Sequence, residues 1–168
     1  MISSQNLKLR VVNKSDLKLL LEWENNPIIQ KHSESSNHYS EKIMLGFIES
    51  AQDIYINDQL RFMIETNTDI IGCVDLYDYD SFNLKAGVGI LIDEKYRNKT
   101  YAKQTLKILK EYAFNNLKLN QLYCKIETTN KKSIKLFSAL GFKHSGILKS
   151  WLNTKNGWND VIFMQCFD

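Results

Sequence analysis

Residues 86–102, AGVGILIDEKYRNKTYA, constrain this chain more than any other stretch. Val88, Ile90, Leu91 and Ile92 make an apolar run that reads as a buried strand, broken at Asp93-Glu94. Lys95, Arg97 and Lys99 follow, and a helix-like pattern begins at Thr100. A buried strand that ends in a tight basic turn and feeds a helix N-terminus is suited to holding phosphate. Backbone N–H groups point outward there, and the helix dipole favours an anion. From about Thr100 to Leu117, Ala102, Leu106, Leu109, Ala113 and Leu117 fall on one stripe. Gln121 to Thr128 is again strand-like, and Asn130 can cap a helix that ends at Gly141. Strand, helix, strand, helix in that order predicts a parallel pair with a right-handed crossover.

The flanks fit around this unit. Leu7, Leu9 and Val11 alternate with Lys8 and Arg10 as a first strand. Ser15 stands where an N-cap should, ahead of a helix carrying Leu17, Leu20, Leu21 and Glu24 that Asn25-Asn26-Pro27 stops. Residues 28–39 read as a polar loop, and Ser40 starts a second helix with Ile43, Met44, Phe47, Ile48 and Ala51 inward. Arg61 to Glu65 and Ile70 to Tyr77 are strands, and the closing strands flank Asn156-Gly157, a two-residue hairpin signal. The whole predicts an α+β fold whose mixed, mostly antiparallel sheet has a central parallel pair and flanking helices.

Composition narrows the function. With 168 residues the expectation is one domain with a real core, residues 1–168. A net charge of +3 does not argue for nucleic acid, and no aromatic-basic stripe accompanies the lysines. No apolar run approaches the ~20 residues that span a bilayer. Without a signal sequence in view, the expected setting is cytoplasmic, with Cys73, Cys124 and Cys166 as buried thiols in strands. His32, His38 and His144 lack metal-ligand spacing.

In this order the elements resemble the GNAT acyltransferases, over nearly the whole chain. Residues 88–102 are similar to that family's pyrophosphate motif, Arg/Gln-x-x-Gly-x-Gly/Ala after a strand. Asn130-Lys131-Lys132-Ser133-Ile134 through Leu140-Gly141-Phe142 resembles its second motif, an Asn-x-x-(Ala/Ser) helix ending Leu-Gly-Phe. Asn156-Gly157-Trp158 with Asp160 and Met164, and Arg61-Phe62 with Gly72, resemble the spermidine/diamine and ribosomal-protein N-acetyltransferase branches. The resemblance implies acetyl-CoA as cosubstrate, lying between splayed strands 86–92 and 121–128. Its thioester would bond main chain around Ile90, Leu91 and Ile92. Arg97, Asn98, Lys99, Thr100, Tyr101 and Ala102 would cradle the pyrophosphate, and Asn130 and Ser133 would touch the pantetheine side. Independently of the family, Lys95, Arg97, Lys99 and Lys103, then Lys131, Lys132 and Lys135, make two basic clusters beside the expected gap.

Two departures from the family pattern bear on activity. Asn98 and Thr100 stand where the family has glycines, which let the backbone approach phosphate and adopt positive φ. Asn98 tolerates a left-handed conformation. Thr100 is β-branched and resists it, although its hydroxyl could cap the helix or bond a phosphate oxygen. Related branches carry a tyrosine general acid where this chain has Phe137, which cannot donate a proton, so the catalytic residues stay unknown. Asp75 and Glu34 are candidate carboxylates for the amine, and Tyr77 and Tyr123 weaker proton donors.

These readings converge on direct acetyl transfer to a primary amine, of a small polyamine or amino compound or of a protein N-terminus. The alternative is a catalytically degenerate CoA-binding sensor or interaction module. Expected partners are acetyl-CoA and the amine, without nucleic acid or membrane, and homo-oligomerisation is left open.

Overall fold

The computed structural model describes residues 2–4, 7–30, 38–50 and 53–168. Among these described residues, eight strands form one sheet in the order β1-β2-β3-β4-β5-β6-β8-β7. They are β1 (Ile2–Ser4), β2 (Leu7–Val11), β3 (Leu60–Glu65), β4 (Ile70–Asp80), β5 (Lys85–Ile92), β6 (Gln121–Glu127), β7 (Lys143–Thr154) and β8 (Gly157–Phe167). All neighbours are antiparallel except β5 and β6, which run parallel. The expected mixed sheet with a central parallel pair is therefore the observed one. Helices α1 (Leu17–Glu24), α2 (Pro27–Gln30), α3 (Glu41–Ser50), α4 (Ile54–Asn57), α5 (Tyr101–Asn115) and α6 (Lys131–Ser138) flank it.

Side chains alternate across each strand, so the sheet has two distinct interiors. One face packs Phe62, Val74, Leu76 and Val88 against Leu106, Leu109 and Ala113 of α5 and Phe137 of α6. The other packs Met63 and Cys73 against Leu20 and Trp23 of α1 and Met44 and Ile48 of α3. All three cysteines are buried free thiols.

Several local expectations change. Asn13, not Ser15, starts the first helical turn: its side chain accepts from Ser15 N at 2.9 Å, and Asp16 Oδ2 accepts from Asn13 N at 2.8 Å. That reciprocal box satisfies two otherwise orphaned donors, which a serine two positions later cannot do. Residues 28–30 are not loop, because Pro27, with its preset φ, opens α2. Ile43 faces solvent at 56 % exposure; it precedes Met44 by one residue and so sits a quarter-turn or more from the buried stripe. At the hairpin the turn residues are 155–156, and Gly157 takes φ +104° while Asn156 keeps negative φ. A type I′ turn needs positive φ at both central residues, so this turn is another type.

Gly72 holds β4 against the end of β5. A Cβ there would lie 2.1 Å from the Leu91 carbonyl oxygen and 3.1 Å from Ile92 Cα, both main chain. Gly72→Ala is expected to lower unfolding free energy by about 1–3 kcal/mol, as overpacking does when backbone must shift. Urea unfolding would measure this, and an unchanged midpoint would show that β5 yields freely there.

Candidate active site

β5 and β6 pair only at Lys85–Gln121, Ala86–Leu122 and Gly87–Tyr123. Past that point β5 continues beside β4 to Ile92, and β6 continues beside β8 to Glu127. The strands part, and a cleft of about 950 Å3 opens through the splay, lined from both faces of the sheet. Val88, Gly89, Ile90, Leu91 and Ile92 form one wall.

On the α5–α6 face the cleft is cationic, lined by Arg97, Lys99, Lys131, Lys132 and Lys135. The turn into α5 is built step by step. Asp93 Oδ1 accepts from Lys95 N at 3.0 Å and caps a single 3-10 turn over Glu94–Tyr96. Arg97 Nε donates to the Ile92 carbonyl at 2.9 Å, fastening the turn back on its own strand. Asn98 takes φ +60°, the left-handed conformation its residue type tolerates. Thr100 precedes α5 with φ −74°, so its β-branch meets no left-handed strain. Its hydroxyl does not cap the helix; it accepts from Gln104 Nε2 at 3.0 Å. Lys99 Nζ lies 5.6 and 5.9 Å over the rings of Tyr96 and Tyr101. Ala102 lines the cleft, whereas Thr100, Tyr101, Lys95 and Lys103 lie outside its lining.

Across the gap, Asn130 caps α6 as expected, its side chain accepting from Ser133 N at 3.1 Å. Gly141 closes the segment at φ +90°. Asn130, Ser133 and Phe137 all line the cleft. Phe137 is 3 % exposed and meets Phe142 edge-on at 5.0 Å between ring centres. It packs and offers no proton.

The opposite mouth, toward α1, holds Asp75, but not as an isolated carboxylate. Arg61 Nε and Nη2 bind its two oxygens at 2.7 and 3.0 Å, and Arg61 Nη1 reaches Glu24 Oε1 at 2.6 Å. The guanidinium also lies 4.9 Å over Phe47. Burial alone would lower the Arg61 value, but Asp75 and Glu24 outweigh it and hold the group fully charged. Glu24 and Arg61 were not assigned to the site from spacing. The available signal was a lone arginine between Leu60 and Phe62 in an apolar strand. Glu34 lies outside the described residues. Tyr77 and Tyr123 do not line the cleft; Tyr123 donates to Asp78 at 3.1 Å and stacks on Phe163.

Cys73 and Cys124 also line the cleft. Burial pushes the Cys73 thiol up to about 12 and raises that of Cys124 as well. At neutral pH both are thiols rather than thiolates, so neither is primed as a nucleophile. Among the described residues no three His, Cys, Asp or Glu groups are arranged to hold a metal ion, and no helix is long and apolar enough to cross a membrane.

Residues 6–143 match the acetyltransferase (GNAT) domain family. Spermidine N(1)-acetyltransferase of Escherichia coli K12 is 28 % identical over 99 % of this chain and 89 % of its own length. An uncharacterised prophage-derived N-acetyltransferase of Bacillus subtilis is 25 % identical over 98 % of this chain and 90 % of its own. Spermidine N-acetyltransferase of Vibrio cholerae, solved with CoA and spermine, superimposes with TM-score 0.91 at 23 % identity, covering 98 % of this chain and 96 % of that one. With most of its length matched by the domain family, this chain belongs to the GNAT acetyltransferases, which use acetyl-CoA to acetylate an amine nitrogen.

Proposed function

We propose that this enzyme acetylates a primary amine of a small polyamine, by direct attack on acetyl-CoA held in the splay between β5 and β6. The charge separation along one continuous cleft carries the reading. Five cationic side chains line the α5–α6 mouth, and two carboxylates share one arginine at the α1 mouth. A polyphosphate belongs at the first and an ammonium at the second.

The residues fit the cosubstrate. Left-handed Asn98 turns the backbone at the N-terminus of α5, where N–H groups lack intrahelical partners. Arg97 and Lys99 would offset phosphate charge, and Lys131, Lys132 and Lys135 would supply counter-charge from α6. The β5 main chain at Ile90, Leu91 and Ile92 has no β6 partner and is left to bond the acyl-carrying arm. Acetyl-CoA supplies the activated thioester carbonyl. The chain orients the amine against it, and Glu24 and Asp75 favour an ammonium at the mouth while Arg61 brings the charge of the three groups to about −1. Elevated Cys73 and Cys124 thiols support direct transfer over an acyl-enzyme. The bound ammonium gives one proton to water to become the attacking amine, and the nitrogen gives a second to water as the new C–N bond forms and the C–S bond breaks. With phenylalanine at 137, the leaving thiolate takes its proton from water.

Kindred polyamine enzymes of E. coli and V. cholerae support the acceptor class. Acetyl-CoA at about 100-fold its Kd should stabilise the protein by about 2.7 kcal/mol, a Tm rise of roughly 5–10 °C. Thiol release should then be fastest with spermidine or spermine in a panel that includes a short peptide with a free N-terminus. No Tm change would remove acetyl-CoA from the site. Turnover of the peptide alone would replace the polyamine with a protein terminus.

A further inference from the structure

Trp23 of α1 and Asp93 at the end of β5 lie 70 residues apart yet share a hydrogen bond, indole Nε1 to Oδ2, at 2.9 Å. Each stands next to one half of the cleft. Trp23 is 2 % exposed, packed among the residues between α1 and the sheet. The next residue, Glu24, lines the α1 mouth and receives Arg61 at 2.6 Å. Asp93 is anchored through its own N–H to the Ile71 carbonyl at 2.9 Å. Its other oxygen caps the turn that delivers Arg97, Asn98 and Lys99.

We propose that the Trp23–Asp93 hydrogen bond couples the phosphate turn to the amine mouth, making both side chains positioning residues for the acceptor. The inference rests on the turn at 97–99 binding the cosubstrate, as set out above. Asp93 divides two oxygens between two duties, one per half-site. A cosubstrate that settles the turn fixes the carboxylate, and the fixed carboxylate holds the end of α1. The carboxylate of Glu24 is then presented, through Arg61, in register with Asp75 on β4. The path is short and made of direct bonds, the kind of contiguous link whose coupling can be measured rather than assumed.

Hydrogen exchange with CoA alone as the probe reads the link without any amine. In the wild-type protein, CoA should slow exchange both in the turn at 94–100 and in α1 at Leu20–Glu24. Trp23→Phe keeps a buried ring but removes the donor; Asp93→Asn cannot accept both bonds. In each variant saturating CoA should still protect the turn, while the added protection of α1 is largely lost. In steady state with spermidine, either change should raise the amine KM by about three- to tenfold and the two should combine non-additively in the double variant, while Trp23→Phe leaves the Kd of CoA, measured without amine, within about twofold. Equal protection of α1 in wild type and variants, or none in wild type while the turn is protected, would overturn the coupling. So would a weakening of CoA binding without amine in Trp23→Phe that matches the rise in amine KM and accompanies a fall in Tm, which is what a purely structural bond produces. Absence of CoA protection at the turn itself would instead overturn the cosubstrate site, and the coupling with it.

Discussion

Arg61→Ala should lower the unfolding free energy by about 3–5 kcal/mol, the range seen when one partner is removed from a buried ion pair. The side chains of Arg61, Glu24 and Asp75 are 12 %, 21 % and 14 % exposed, so water reaches the carboxylates slightly and the lower end is expected. The loss has three sources. Asp75 forfeits a two-pronged bond, Glu24 its partner, and Phe47 a cation 4.9 Å over its ring. Two like charges are then left facing each other across the α1 mouth. Arg61→Lys keeps the charge but not the planar fork, so it should fall between alanine and wild type. Urea unfolding followed by tryptophan fluorescence checks this, since Trp23 adjoins Glu24. A loss under about 1 kcal/mol would place the cluster with exposed pairs, whose worth is small. In turnover, the same alanine variant should lose at least tenfold in kcat/KM for spermidine, with the acetyl-CoA KM little changed.

Legibility in the sequence followed sequence distance. The β5–α5–β6–α6 unit was readable because each signal is local: an apolar run, a basic turn, a 3.6-residue stripe, an asparagine cap and a closing glycine. Asn98 could be anticipated in left-handed geometry because that preference belongs to the residue itself. Thr100 shows the limit of the same logic. Its β-branch signalled strain, but the chain places the positive φ at Asn98 alone and gives Thr100 an ordinary conformation. The ion cluster was not readable, because Arg61 meets Asp75 fourteen residues on and Glu24 thirty-seven residues back, a pairing that only the register of β3 with β4 and the placement of α1 create. Asp75, a candidate carboxylate for the amine from sequence, lines the cleft, but there its two oxygens are held by Arg61. The Trp23–Asp93 bond is further still from any local pattern. Composition was silent on all of these, since a net charge of +3 averages over two mouths of opposite character.

The position that most limits turnover on this reading is Phe137, and Phe137→Tyr should raise kcat. The ring lines the cleft, is 3 % exposed, and is fixed by its edge-on contact with Phe142. A hydroxyl added to that ring has two places to go. Beside Phe142, Lys110 Nζ is already bonded to the Leu140 carbonyl at 2.7 Å, and a buried hydroxyl left unsatisfied costs about 1–3 kcal/mol. The cleft offers water and the departing sulfur, so the ring should present the hydroxyl there. A positioned general acid contributes typically about 10²–10⁴-fold. Because a transplanted group lacks tuned surroundings, a gain of about 10- to 100-fold in kcat is the expectation, with the acetyl-CoA KM unchanged. The gain should carry its own pH signature. An unperturbed tyrosine titrates near about 10, so the variant should lose its advantage as the phenol ionises while the wild type shows no such limb. Equal kcat at unaltered stability would show that protonation of the leaving thiolate does not limit the rate. Equal kcat with a fall in stability above about 1 kcal/mol would show the hydroxyl turned into the core instead.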